Sequence, residues 1–148
     1  MKKSKKLQKL KRKSPKILVW RYIEGYKKNR EKILRLVDKV FKSGQLILSN
    51  EVKSFENNFA KFTKNKYAVG VNSGTDAIQI SLMSLGIKKK DEVITVSNTA
   101  VPTVSAIVSC GAVPVYVDIN KNDYLINTDL IEKRITKKTK AIIPVHLY

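Results

Sequence analysis

Four short apolar runs, Tyr67–Val71, Glu92–Val96, Val113–Val117 and Ala141–Val145, constrain what this chain can become. They recur at intervals of about 20 to 30 residues, and the stretches between them carry helical spacing. Strands that alternate with helices pair in parallel, through right-handed crossovers, so the pattern predicts βαβ units in an α/β fold. Such sheets bind their ligands beyond the carboxyl ends of the strands. Those ends are Asn72–Thr75, Ser97–Ala100, Asp118–Asn120 and His146–Tyr148.

The first of these units is the most specific. Tyr67 to Leu85 reads YAVGVNSGTDAIQISLMSL: an apolar strand, a small polar turn and a helix start. The turn Asn72-Ser73-Gly74-Thr75 puts free backbone N–H groups at a helix N-terminus, beside the positive end of the helix dipole. That arrangement suits an anion, typically a phosphate. Ser73 and Asp76 match the S-x-x-D capping pattern, which fixes the helix start here. Gly74 lacks the Cβ that would hold a ligand away from the backbone. On local chemistry alone, an ordinary capped turn with no ligand explains these residues equally well.

The remaining elements follow from spacing. Ile17–Ile23 reads as an extended or turn-like apolar segment. From Tyr26, Ile33, Val37, Val40 and Phe41 fall on one helix face, closed by Gly44. Asn50 is positioned to cap a second helix, whose Val52, Phe55, Phe59 and Phe62 predict a face packed on a core. Later helices are expected to Leu85, over Pro102–Ser109, and from an Asn127-Thr128-Asp129 cap to about Ile135. The organisation expected is a basic disordered extension over 1–16, a helical segment over 17–66, and the first part of an α/β domain over 67–148. The last apolar run has no covering helix after it, so the fold reads as cut short.

Charge separates the ends of the chain. The formal net charge is +18, and residues 1–40 hold 16 Lys+Arg against 3 Asp+Glu. Met1–Lys16 is too weakly followed by apolar residues to be a secretory leader. It suits either an arm for nucleic acid or an anionic membrane, or a disordered, solvated Lys-rich extension, and lysines throughout the chain favour the last. No apolar run approaches the length of a membrane span. The single cysteine, Cys110, permits no internal disulfide and reads as a structural thiol near a helix end. One histidine, His146, leaves no two-histidine metal site, and no catalytic constellation is assembled. Asp118 ends a strand, where a turn-forming and a functional role are equally open.

Taken together, VNSGTDAIQISLMSLGI, DEVITV, NTAVPTVSAI, GAVPVYVDI and ITKKTKAIIPVHLY resemble, in order and spacing, part of the DegT/StrS family of PLP-dependent sugar aminotransferases. The upstream SGQLILSNEVKSFENNFAKF is similar as well, so the resemblance runs from about Trp20 to Tyr148. It implies the PLP-transferase large-domain fold (aspartate aminotransferase type I), truncated. It implies pyridoxal 5'-phosphate as cofactor, with its phosphate on Ser73, Gly74 and Thr75. It places Ala100 where the family usually stacks an aromatic residue on the pyridine ring. His146 falls in the PVHLY strand end, a position beside the cofactor and substrate. Ser49 stands where the family often has glycine.

The resemblance further implies amino transfer, with glutamate as expected donor, to a nucleotide-linked keto-sugar in cell-surface polysaccharide or deoxyamino-sugar biosynthesis. A cytoplasmic homodimer without membrane or nucleic-acid partners is expected. The family's aspartate for the pyridine nitrogen and its Schiff-base lysine lie downstream of the HLY segment, and no lysine here occupies a matching motif. The chain alone is therefore expected to be inactive, with no catalytic residue of its own. The competing readings are a non-catalytic basic α/β module that contacts nucleic acid through its N-terminal arm, and a non-catalytic remnant of the same fold.

Overall fold

The computed structural model describes Leu18 and residues 21–147. The expectation for 1–16, and that for Ile17, Val19 and Trp20, lie outside the described residues. The chain divides into two compact units, Met1–Ala68 and Val69–Tyr148.

The first unit holds two helices. α1 spans Tyr22–Ser43. It starts earlier than the apolar spacing suggested, so Ile23 is helical rather than extended; Glu24 in the first turn complements the helix dipole there. Gly44 ends it in the left-handed conformation, φ 67°, as expected of a C-terminal glycine. α2 spans Asn50–Phe62. Ser49, not Asn50, occupies the capping position, and Asn50 is the first helical residue. Lys39 donates to the Glu51 carboxylate at 2.7 Å, tying the two helices together through an exposed pair of small energetic weight. The aromatic stripe does form: Phe55 and Phe59 ring centroids lie 5.7 Å apart, and Phe59 and Phe62 6.4 Å apart. It is not packed on a core as expected. All three rings are exposed, and Ala60 is the one buried residue of α2. Positions three and four apart lie above one another on a helix, so the spacing dictates a stack of rings; burial needs an opposing surface.

The second unit is a three-stranded parallel sheet with helices. α3 (Gly74–Ser84) is followed by β1 (Glu92–Val96), α4 (Val101–Ser109), β2 (Val113–Val117) and β3 (Thr139–Ile142). The order is β2-β1-β3, with Ile94 opposite both Val115 and Ile142. β1 is central and apolar on both faces, with Val93, Ile94 and Val96 essentially inaccessible. Pro114 is tolerated because β2 pairs on one side only. Leu82, Ile87, Val93, Ile107 and Ala112 form the core cluster, with Ile78, Cys110, Ala141 and Ile143 packed against it.

Three expectations are corrected. Tyr67–Val71 is not a strand of this sheet. Both edges of β1 are taken by β2 and β3, and the run enters no ladder. The segment after Asn127 is not an α-helix but two 3-10 turns, Thr128–Leu130 and Glu132–Arg134. Asn127 Oδ1 accepts from Asp129 N–H only two residues on, a tight Asx geometry, and so short a segment does not favour α nucleation. β3 begins and ends earlier than expected. Ile143 N–H still donates to Ile94 O at 2.8 Å, but Pro144 has no N–H with which to continue.

Candidate functional site: the N-terminus of α3 and the carboxyl edge of the sheet

The start of α3 is fixed by Ser73. Its backbone is extended, φ −156° and ψ 167°, and its Oγ accepts from Asp76 N–H at 3.1 Å. The same hydroxyl donates to Asp76 Oδ2 at 2.8 Å. This is the cap that the S-x-x-D spacing predicted, and it commits the Ser73 hydroxyl to the helix. Ser73 O meanwhile accepts from Ala77 N–H at 3.0 Å.

Two donors are left over. Among the described residues, no hydrogen bond engages the N–H of Gly74 or of Thr75. Both point out of the first turn of an 11-residue helix, where the dipole is positive. A Cβ built on Gly74 would meet nothing within 4 Å, and its φ is not left-handed. Neither the backbone nor internal packing therefore requires glycine at 74. Two free donors beside a glycine with open space at its Cβ position are groups that could hold a phosphate. Replacing Ser73 by Ala should cost about 1 kcal/mol of stability through the lost cap. Thermal unfolding of Ser73→Ala beside the parent chain measures it.

The other candidate residues lie at the sheet's carboxyl edge. Leu82 near the end of α3 clusters with Ile87 and with Val93 at the start of β1. The helix N-terminus is thereby turned toward the opposite edge, where β1, β2 and β3 all end. Ala100 is there, in the capping position of α4, exposed and extended. Its turn is held by Thr99, whose Oγ1 donates to Oγ1 of buried Thr103 at 2.8 Å. Asp118, after β2, turns its carboxylate onto Ile119 N–H at 2.8 Å, a turn-forming role. His146, after β3, is exposed. A groove of about 580 Å³ along α4 reaches the same edge through Ser97 and Thr99. Cys110 is half-buried, with its Sγ 3.7 Å from Gln79 O, inside the structural frame as expected.

Two residues of this edge were not singled out from sequence: Thr95 and Thr103, both buried and both hydrogen-bonded. A signal existed for each. Thr95 is the lone hydroxyl within VITV, and Thr103 stands four residues after Thr99 in a helix. Among the described residues, no group of three or more His, Cys, Asp or Glu side chains could hold a metal ion. Nor is any described helix long and apolar enough to cross a membrane.

A parallel sheet connected through helices, with a capped helix N-terminus at its carboxyl edge, defines an α/β protein. The DegT/DnrJ/EryC1/StrS aminotransferase family profile matches residues 27–148, and the chain belongs to this family. It is 51% identical over 130 residues to a dTDP-3-amino-3,4,6-trideoxy-alpha-D-glucose transaminase of Micromonospora megalomicea subsp. nigra, a match covering 88% of this chain and 35% of the relative. It is 44% identical over 119 residues to a UDP-2-acetamido-2-deoxy-3-oxo-D-glucuronate aminotransferase of Pseudomonas aeruginosa, covering 80% and 33%. Among solved structures, S. venezuelae DesV superposes with a TM-score of 0.87 at 37% identity, over 91% of this chain and 36% of DesV. NtdA of Bacillus subtilis, solved with bound cofactor PMP, superposes with a TM-score of 0.80 at 39% identity, over 82% and 28%. The fold is thus the α/β fold of these aminotransferases. The chain spans about a third of the length of the curated relatives it matches. These matches favour the aminotransferase reading over a basic nucleic-acid module.

Proposed function

We propose that this chain carries the phosphate-anchoring part of a PLP-dependent aminotransferase. At its relatives' full length, such a protein would move an amino group, with glutamate as the donor, onto a nucleotide-linked keto-sugar. The products would serve polysaccharide or deoxyamino-sugar biosynthesis, in the cytoplasm and from a homodimer, as the family resemblance implies. The observation that carries the reading is the pair of free N–H groups at Gly74 and Thr75, beside open space at the Gly74 Cβ position.

Pyridoxal phosphate, when bound, supplies the electron sink for amino transfer. The chain's own residues hold and orient it. Gly74 and Thr75 N–H groups donate to the phosphate, and Thr75 Oγ1 is a further donor within the same turn. Ser73 acts indirectly, by keeping the helix start formed. Ala100 borders the ring position, where a methyl group makes a smaller face than the family's aromatic residue, so less of the hold comes from stacking. His146 borders the substrate side.

The test uses pyridoxamine 5'-phosphate, which has no aldehyde to react with surface lysines. Titrated calorimetrically into the 148-residue chain, it should bind, inorganic phosphate should compete, and unphosphorylated pyridoxamine should not bind. The same chain should not turn over glutamate with a keto-sugar. Binding that ignores the phosphate group would refute the assignment of the turn.

A further inference from the structure

Among the described residues, Val93–Val96 of β1 form the least accessible run, and one of these four side chains is polar. Thr95 is 0% exposed between Ile94 and Val96. Its Oγ1 donates to Ile143 O at 3.1 Å, across to the chain just after β3. That is where β3 stops behaving as a strand. Ile143 N–H makes the last ladder bond, to Ile94 O, and Pro144 blocks the next. Residues 144–147 then run on without regular structure to exposed His146. A valine at 95 would fill nearly the same volume and suit the strand at least as well. The hydroxyl is therefore not explained by packing or by strand propensity. What it does is pin one carbonyl, three residues before the histidine.

We infer that Thr95 is a positioning residue. Its hydroxyl clamps the exit of β3, so that Pro144–Leu147 leave the sheet on one course and hold His146 at the carboxyl edge. This rests on the reading of that edge as the cofactor and substrate side. The physical basis is the asymmetry of a buried hydrogen bond. Removing the donor leaves Ile143 O without its side-chain partner, and the cheapest relief is for the exit segment to swing the carbonyl to water. The relief is local, because β3 is already at its last ladder bond there.

The experiment compares the chain with Thr95→Val and Thr95→Ser. Two readouts are used besides ligand affinity. One is amide hydrogen exchange by residue. The other is the His146 ring Cε1–H resonance, which needs no assignment because the chain has one histidine. In Thr95→Val, exchange at Ile143, whose N–H is the last one bonded before the exit, should rise about tenfold. The ring signal should move toward its free-peptide position, and pyridoxamine 5'-phosphate should bind severalfold more weakly. Exchange in β1 and β2 should stay within about twofold. Thr95→Ser keeps the hydroxyl and should restore the exit segment and the ring signal.

Equal loosening of β1, β2 and the exit segment in Thr95→Val would overturn the inference, since Thr95 would then be general packing. A Thr95→Ser chain whose exit loosens while β1 and β2 hold would overturn it also, even if Thr95→Val does not fold. If the parent chain binds no pyridoxamine 5'-phosphate yet its exit loosens selectively in Thr95→Val, the clamp stands and the reading of the site fails.

Discussion

Gly74→Asp should abolish phosphate binding while leaving the protein as stable as before, or more so. The two effects have opposite signs because they draw on different properties of one position. For stability, residue 74 is the first residue of α3, its φ is not left-handed, and a Cβ there meets nothing within 4 Å. Any L-residue fits. A carboxylate in the first turn complements the dipole, so stability should be unchanged or higher by about 0.5 kcal/mol. For binding, the new side chain stands in the open space above the free N–H groups and brings a negative charge to the place of the phosphate. Two charge-assisted hydrogen bonds contribute about 1.5–3 kcal/mol each, so their loss predicts a fall in pyridoxamine 5'-phosphate affinity on the order of 100-fold or more. Calorimetric titration and a thermal melt on the same sample measure both. Gly74→Ala should fall between, with a stable fold and a smaller loss of affinity. A Gly74→Asp chain that binds as tightly as its parent would remove this turn from the site. One that melts far lower would mean that glycine is required by the fold.

Much of this was legible in the sequence, and where it failed the failures share a cause. β1 and β2 begin and end where their apolar runs do, because each is bounded by local turn chemistry: Asp91 before β1, Gly111 before β2, and polar turns after both. The α3 cap was legible because S-x-x-D is a contact between residues three apart. The misreadings concern residues whose state is set by something distant or absent from the local pattern. Tyr67–Val71 has the composition of a strand, yet a strand exists only through a neighbour, and the three ordered strands pair among themselves. The Phe55–Phe62 stripe has the spacing of a buried face, yet spacing gives direction and not cover. β3 stops short of Pro144 because that residue, though it sits inside an apolar run, has no N–H to give to the ladder. Thr95 is the sharpest case: its partner lies 48 residues further along the chain, beyond any local rule. For the candidate site, the chemistry of Ser73–Thr75 was readable because it is backbone chemistry. The settings of Ala100 and His146 depend on how separate strand ends converge, and position at an edge is what the sequence could supply for them.

Replacing Ile107 by Ala should be the most damaging single change in the second unit. Ile107 is 0% exposed in α4 and belongs to the cluster with Leu82 from α3, Val93 from β1, and Ile87 and Ala112 from the connections around them. It therefore joins both helices to the central strand. Truncation removes three carbons from a close-packed site that cannot collapse, since the surrounding positions belong to separate elements. Such changes cost about 2–5 kcal/mol, and the number of elements meeting here places Ile107 in the upper half of that range. A domain of this size has roughly 5–10 kcal/mol in all, so much of it is lost. The adjacent Val108 provides the contrast. It is 56% exposed on the same helix, and Val108→Ala should cost under about 0.5 kcal/mol. Urea unfolding of both variants separates them, with a lower midpoint and unchanged slope expected for Ile107→Ala. A loss below about 1 kcal/mol would mean that this cluster is not what holds α3 and α4 on the sheet. The consequence reaches the site as well. Gly74 and Thr75 can present their donors only while α3 is seated, so Ile107→Ala should weaken pyridoxamine 5'-phosphate binding in proportion to the unfolded fraction. Gly74→Asp, in contrast, should abolish binding with the fold intact.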